Sequence, residues 1–209
     1  RSQTPAIKTI GIVTPYVPDD ASAALASSVG RSFGIIGALV DAGMQSARES
    51  SLRQALKAQH FQVHEVLEAD LKQHVEDLGY TATMIPVARD HADFLKQYPK
   101  SAETGADAYL DLIVGAYGYM AAGIGSSTPY RPALRIKVRL VRASDASVLM
   151  EDRIFYDPLG APSNVVTIAP DPQYEFTDFD ALMADPVNAK KGLDAAIDQS
   201  MDAAAKLLR

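Results

Sequence analysis

The chain has 209 residues, 47% of them hydrophobic and 22% charged, with a formal net charge of −6 at pH 7 and no cysteine. A chain of this length buries roughly 70% of its unfolded surface, enough for a core without metals or disulfides, and the composition excludes disordered, collagen-like and coiled-coil classes. The lack of Cys removes disulfides, thiolate nucleophiles and Cys-ligated zinc, and with no run of Lys or Arg there is no phosphate-backbone footprint, so nucleic acid is not an expected partner.

The start, Arg1-Ser-Gln-Thr-Pro5, has neither an initiator Met nor a visible secretory signal, which leads us to expect a mature or trimmed chain, compatible with a removed signal peptide. Ile7 to Val13 is a short apolar run closed by Thr14-Pro15-Tyr16-Val17-Pro18, the pattern of a first, central strand ending in a proline turn. Residues 21–47 are rich in small side chains, with Gly30, Gly34, Gly37 and Gly43. Gly30-x-x-x-Gly34 would let another backbone approach closely. The apolar run Phe33–Val40, bounded by Arg31 and Asp41, is far short of the ~20 residues that span a bilayer, so the segment reads as a helix or loop packed on the sheet.

Ser50 to Leu78 has helical periodicity through Leu52, Leu56, Val63, Leu67, Leu71, Val75 and Leu78, with a phase slip near Phe61 that predicts two helices or a kink, and Gly79 as the stop. Tyr80–Val87 is the second strand, pushed to an edge or bulge by Pro86. Asp90–Tyr98 is a short helix candidate, and Pro99–Thr104 a loop. Asp107–Val114 is the third strand. Leu134, Ile136, Val138 and Leu140 then alternate with Arg135, Lys137 and Arg139, the period-2 signature of a half-buried antiparallel strand, and after the polar break Ala143–Ser147 the run Val148–Tyr156 returns as the other arm of a hairpin. Pro158–Glu175 carries four prolines, and residues 158–180 read as an irregular surface segment. Asp185-Pro186 is an N-cap followed by an N1 proline, opening a last helix whose stripe is Leu193, Ile197, Met201, Ala204 and Leu208.

These elements predict an α/β (mixed α+β) fold: one domain over residues 1–209, with a single mixed sheet, a long antiparallel hairpin and helices packed on it.

Chemistry-bearing motifs are sparse. His60 and His64 sit four apart on the predicted helix, with Glu68 a turn further, a spacing that could share one face toward zinc. The His-Glu-x-x-His arrangement with its general base is absent, so no metal or other cofactor is expected. Gly123-Ile-Gly-Ser-Ser-Thr-Pro129 could form an anion nest before Arg131, yet it lacks the Lys of a phosphate loop and leads into a strand. No Gly-x-Ser-x-Gly elbow occurs, and Asp19-Asp20, Glu76-Asp77 and Glu151-Asp152 are adjacent pairs that point apart, so no enzyme is expected. Tyr109, Tyr117, Tyr119, Tyr130 and Tyr156 cluster around the third strand and the ribbon. Positions 109, 117 and 119 would share one strand face, and the candidate ligand or partner surface is Tyr117, Tyr119, Tyr130, Arg131 and Asp152. Asp152 lies among Val148, Met150, Ile154 and Tyr156, where an acid needs a partner. The opposite face, with Arg135, Lys137 and Arg139 against Glu151 and Arg153, reads as a solvated surface.

Leu140-Val-Arg-Ala-Ser-Asp-Ala-Ser-Val-Leu-Met150 resembles the strand, Asp-Ala-Ser/Thr-Gly turn and Val-Leu-Trp strand of bacterial envelope lipoproteins, and Gly105-Ala-Asp-Ala-Tyr-Leu-Asp-Leu-Ile-Val114 is similar to their Gly-Ala-Asp-then-strand segment. The families are the CsgG-like curli-secretion lipoproteins, related small lipoproteins of Gram-negative bacteria, and the amino-terminal domain of TolB. Ser147 stands where Gly is usual, Met150 replaces the aromatic, and no lipobox Cys is present. The resemblance implies an α/β layer with a mixed sheet and a periplasm-facing protein, anchored at the outer membrane only through an amino-terminal lipid, with no catalytic residues to carry over. Three readings follow: a non-catalytic module binding an envelope protein, a cell-wall component or itself; a small-ligand domain using the Tyr-rich region; and a hydrolase using Gly123–Thr128 with a distant His or Asp.

Overall fold

The computed structural model of the protein describes residues 7–25, 34–121 and 129–209. Its centre is a seven-stranded mixed sheet formed by β1 (Thr9–Val13), β2 (Ser22–Leu25), β3 (Thr81–Ile85), β4 (Ala108–Ala121), β5 (Tyr130–Arg142), β6 (Val148–Tyr156) and β7 (Val166–Ile168), in the order β3-β1-β4-β5-β6-β7 with β2 also on β4. β1 lies between β3 and β4, parallel to both, and β3 is the edge strand that Pro86 foreshadows.

β1 and β2 occupy one side of β4 in succession. Between them Tyr16 keeps step, its N–H donating to the Leu112 carbonyl at 3.0 Å and its own carbonyl accepting from Val114 at 2.8 Å. Pro15 and Pro18 flank it, and because proline has no N–H to give, a single long strand becomes two short ones. Gly118, at φ +142°, lets β2 approach, since a side chain there would collide with the Ser22 backbone.

β4 is longer than the sequence indicates. It runs on through Ala121 and pairs with β5 from Ala108↔Arg142 to Ala121↔Tyr130, with a bulge between Val114 and Ala116. The bulge shifts the side-chain parity by one. Tyr109 therefore faces one side of the sheet and Tyr117 and Tyr119 the other, which corrects the expectation that the three share a face. The β5–β6 turn is closed by Asp145, whose carboxylate accepts from the Ser147 N–H at 3.0 Å. Ala146 takes the left-handed conformation, φ 57°, at the place where a turn favours Gly or Asn.

The first face of the sheet is covered by α1 (Gly34–Ala58), α2 (Val63–Asp77) and α5 (Pro186–Lys206). The predicted slip near Phe61 is a complete break between α1 and α2. Val63, Leu67, Leu71 and Val75 of α2 are buried, as are Leu193, Ile197, Met201 and Ala204 of α5. They meet Leu110, Leu112, Leu134, Ile136 and Val138 of the sheet in one core, and each such aliphatic side chain contributes about 1.5–3 kcal/mol by burial. Asp185 caps α5 by accepting from the Asn188 N–H at 3.1 Å.

Two expectations are corrected. The predicted helix Asp90–Tyr98 is an irregular strap, whose Leu95 N–H and Tyr98 hydroxyl donate to Asp111 of the sheet. Only one helical turn, α3 (Ser101–Thr104), precedes Gly105. The stretch 158–180 is not wholly irregular: it includes β7, parallel to β6, a 3₁₀ turn at Pro172–Tyr174 and the start of α4 (Phe179–Ala184).

Candidate functional site

The last turns of α1 place Arg53, Leu56 and Lys57 at i, i+3 and i+4, on one face. The helix then ends in a Schellman motif: the Phe61 N–H donates to the Leu56 carbonyl at 3.1 Å and the His60 N–H to that of Lys57 at 3.0 Å. His60 holds the left-handed position, φ 53°, where glycine is usual. A non-glycine residue there costs on the order of 1 kcal/mol, and such positions concentrate at functional sites.

This ending swings Phe61 against Tyr117 of β4, with ring centroids 6.3 Å apart and planes tilted by 47°. Lys190 of α5 sits 5.8 Å from the centre of the Phe61 ring. On the far side, the chain leaving Pro18 contributes Asp19, Asp20 and Ala21. The result is a cleft of about 390 Å³ lined by Asp19, Arg53, Lys57, His60, Phe61 and Tyr117, with Ala21, Leu56 and Gln62 filling its walls.

Its electrostatics are mixed. Arg53 Nη1 is 2.5 Å from Asp20 Oδ2, a half-exposed pair at the rim, and Lys57 has no ion pair among the described residues. Tyr117 is 6% exposed, and its hydroxyl reaches only the Asp19 carbonyl, at 3.5 Å. Burial, reinforced by the Asp20 and Asp19 charges, pushes its pKa up to about 12, so at neutral pH Tyr117 is a hydrogen-bond donor at an apolar wall. The cleft thus offers an aromatic pair, one free ammonium, one hydroxyl donor and an imidazole.

Of the five surface candidates, only Tyr117 lines this cleft. Tyr119 is core: its hydroxyl donates to the Ala189 carbonyl at 2.9 Å, its ring meets Phe176 edge-on at 5.6 Å, and burial raises its pKa. Tyr130 is 2% exposed and packs against Phe179. Arg131 lies on the opposite face of the sheet, its Nε 3.2 Å from Oδ2 of the fully buried Asp157 in an ion pair without hydrogen-bond geometry at that oxygen. Asp152 is half-buried beside Ile154 and accepts from the Arg153 N–H at 2.7 Å. His64 is on α2 beyond the break, so the i, i+4 geometry assumed for His60 and His64 does not form. Among the described residues no three His, Cys, Asp or Glu side chains converge as for a metal. Residues 123–128, the proposed hydrolase loop, lie outside the described residues.

Sequence reasoning passed over Arg53, Lys57 and Phe61. Their signal is the i, i+3, i+4 spacing ahead of a helix end, hidden because no Gly or Pro marks that end. It also passed over a buried ion pair. Asp111 is fully buried and the Arg89 side chain 6% exposed. Arg89 Nη2 donates to Asp111 Oδ1, and Asp111 Oδ2 accepts from the Leu95 N–H at 2.9 Å and the Tyr98 hydroxyl at 2.8 Å. Arg89 Nε also donates to the Thr14 carbonyl at 2.7 Å. This network holds the strap 86–100 on the second face of the sheet, away from the cleft, and every partner is satisfied.

No protein-family model matches the chain, and no curated protein matches it in sequence. Among solved structures it is similar to protein XCC0632 from Xanthomonas campestris, of family DUF330, at 12% identity over 97% of this chain and 85% of that one, with a TM-score of 0.46. It is also similar to the hypothetical protein CT253 from Chlamydia trachomatis, at 9% identity over 96% and 98%, TM-score 0.42. Lipoprotein GNA1162 from Neisseria meningitidis is similar at 16% identity over 71% of this chain and 81% of that one, TM-score 0.34. These are loose likenesses, and no residue role passes from them to this chain.

Proposed function

We propose that the protein is a non-catalytic binding module of the bacterial envelope, lipid-anchored at its amino terminus in the periplasm in its native form, and that the cleft at Tyr117 is its recognition site. The observation that carries this reading is the cleft, where a strained helix ending aims an aromatic ring, an imidazole and a free ammonium at one concave space. Apolar walls with a few convergent polar groups are the usual make-up of a small-ligand site. The lining favours a molecule with a ring or apolar body and an acidic group, the ring on Phe61 and Tyr117 and the acid near Lys57. The envelope half of the reading rests on the resemblance of residues 105–114 and 140–150 to the CsgG-like and TolB amino-terminal families. A partner protein or cell-wall component is the second occupant, favoured by the half-exposed Arg53–Asp20 pair, which resembles the polar rim of a protein interface.

Thermal-shift titration with simple aromatic carboxylates tests the cleft. Wild type is expected to gain Tm, while Lys57→Glu and Phe61→Ala do not respond. Flat titrations for wild type, or equal responses in all three proteins, would remove the small-ligand reading. Fractionation of the gene product expressed from its native start tests location: recovery in the cytoplasm without acyl labelling would overturn the envelope half.

A further inference from the structure

The second face of the sheet is covered unevenly. The strap 86–100 lies over β1 and the start of β4, burying Val13, Ala106 and Tyr109. Over β5 and β6 the same face projects Arg135, Lys137 and Arg139 from one strand and Glu151, Arg153 and Phe155 from the next, in register Arg135↔Phe155, Lys137↔Arg153 and Arg139↔Glu151. Four cations thus stand around one carboxylate in a chain whose net charge is −6.

Two of the cations are fixed by contacts within the protein. Arg135 stacks 4.6 Å over the Phe155 ring and donates to the Tyr156 and Leu159 carbonyls, at 2.7 and 2.9 Å. Arg139 stacks 4.0 Å over Phe94 and is bound by Glu151 at 2.7 Å. The other two are unneutralised. Lys137 and Arg153 are directly opposed cross-strand neighbours, both exposed, and neither pairs with a carboxylate among the described residues. Like charges placed opposite on a sheet destabilise it. A fold that keeps them in the middle of the β5–β6 hairpin leaves a standing demand for negative charge from outside.

The shape of the array narrows the source. Side chains at these register positions leave the same face of the sheet, so the four cations share that face. From Arg135 to Arg139 they span about 14 Å, with Arg153 about 5 Å to the side. One phosphate cannot touch points so far apart. A planar, laterally mobile layer of phosphates can, and the helices, which carry much of the acid, pack on the other face of the sheet. We propose that the β5–β6 face docks on an anionic phospholipid surface. Lys137 and Arg153 meet the headgroup phosphates, and the Phe-supported guanidiniums of Arg135 and Arg139 flank them. The face is separate from the Tyr117 cleft, on the opposite side of the sheet, and does not depend on what the cleft binds.

Vesicle co-sedimentation of the full chain tests this, with equal parts phosphatidylglycerol and phosphatidylcholine against phosphatidylcholine alone. We expect binding to the anionic vesicles only and its loss at ~1 M salt. At about fivefold per cation, Lys137→Ala/Arg153→Ala should bind roughly 25-fold more weakly, while Lys57→Ala in the cleft binds like wild type. No binding by wild type, binding independent of phosphatidylglycerol, or an unchanged double variant would overturn the proposal. So would displacement by free inorganic phosphate at matched ionic strength, which would mean a discrete anion site, or capture by polyglutamate in place of vesicles, which would mean an acidic protein partner.

Discussion

Asp111 and Arg139 are opposite one another in the β4–β5 ladder, yet the charges on either side of that pair live in different regimes. Toward β1, Asp111 and Arg89 are sealed under the strap 86–100, and each is met by specific donors or acceptors. Toward β6, Lys137 and Arg153 face each other in the open with nothing between them. Tyr98, whose hydroxyl bonds Asp111 and also feels Arg139, sits at the border. A buried charge left unpaired is costly, because desolvation costs several kcal/mol per ion, whereas an exposed charge is tolerated unpaired because water screens it. Both sides belong to one continuous sheet. The difference that decides how its charges are handled is the cover, so the covered half answers to folding and the open half is free to answer to binding.

The sharpest way to break this contrast is to strand Asp111. Arg89→Met leaves a fully buried carboxylate without its cation and should cost about 3–5 kcal/mol in urea unfolding. A loss under about 1 kcal/mol would mean that the strap, not the pair, governs stability there. Next is Tyr98→Phe, which removes a hydrogen bond to a charged group and should cost about 1.5–3 kcal/mol. It also has a pH signature. Burial first, then the Asp111 charge, raises the Tyr98 pKa above its ordinary 10.0. A raised folded-state pKa means that the unfolded chain ionises first, so the contribution is whole below pH ~10 and drains away as pH climbs above it. Tyr119 and Tyr156 are raised as well, so wild type loses stability in alkali through several tyrosines. Tyr98→Phe should have a measurably shallower slope there, and parallel slopes would separate Tyr98 from Asp111.

The same border separates what could be read in advance from what could not. The β5–β6 hairpin was legible because its signals are local: alternation along the first arm, a second strand-like run after a polar break, and an Asp145–Ser147 turn whose side chain closes it. The capped α5 was legible for the same reason. The bulge beside Gly115 was not, since a single inserted residue leaves no mark in the alternation of an apolar run, and missing it put Tyr109 on the wrong face. Asp111 announced a need, an acid inside Tyr-Leu-Asp-Leu-Ile, but not its answer, because Arg89 is 22 residues away on a strap whose local pattern favours helix. In the cleft, Tyr117 was visible as one of many tyrosines. Arg53, Lys57, His60 and Phe61 come together there only because a helix ends without glycine, which no periodicity reveals.

The smallest effect discriminates best on the open half. Lys137→Glu replaces a repulsive cross-strand pair with an attractive one opposite Arg153, with Arg135 and Arg139 two residues away on its own strand. A cross-strand charge pair is worth about 0.2–1 kcal/mol, so the variant should be more stable than wild type by that amount at low salt, and the gain should shrink toward zero as salt screens exposed charges. Urea midpoints at two ionic strengths read both terms. If the variant is instead less stable at every salt concentration, Lys137 contributes a packing or backbone role, and the repulsion that underlies docking of this face is absent. If it is more stable and also loses vesicle binding, then the native lysine holds the hairpin below its attainable stability in exchange for a surface that attracts phosphate.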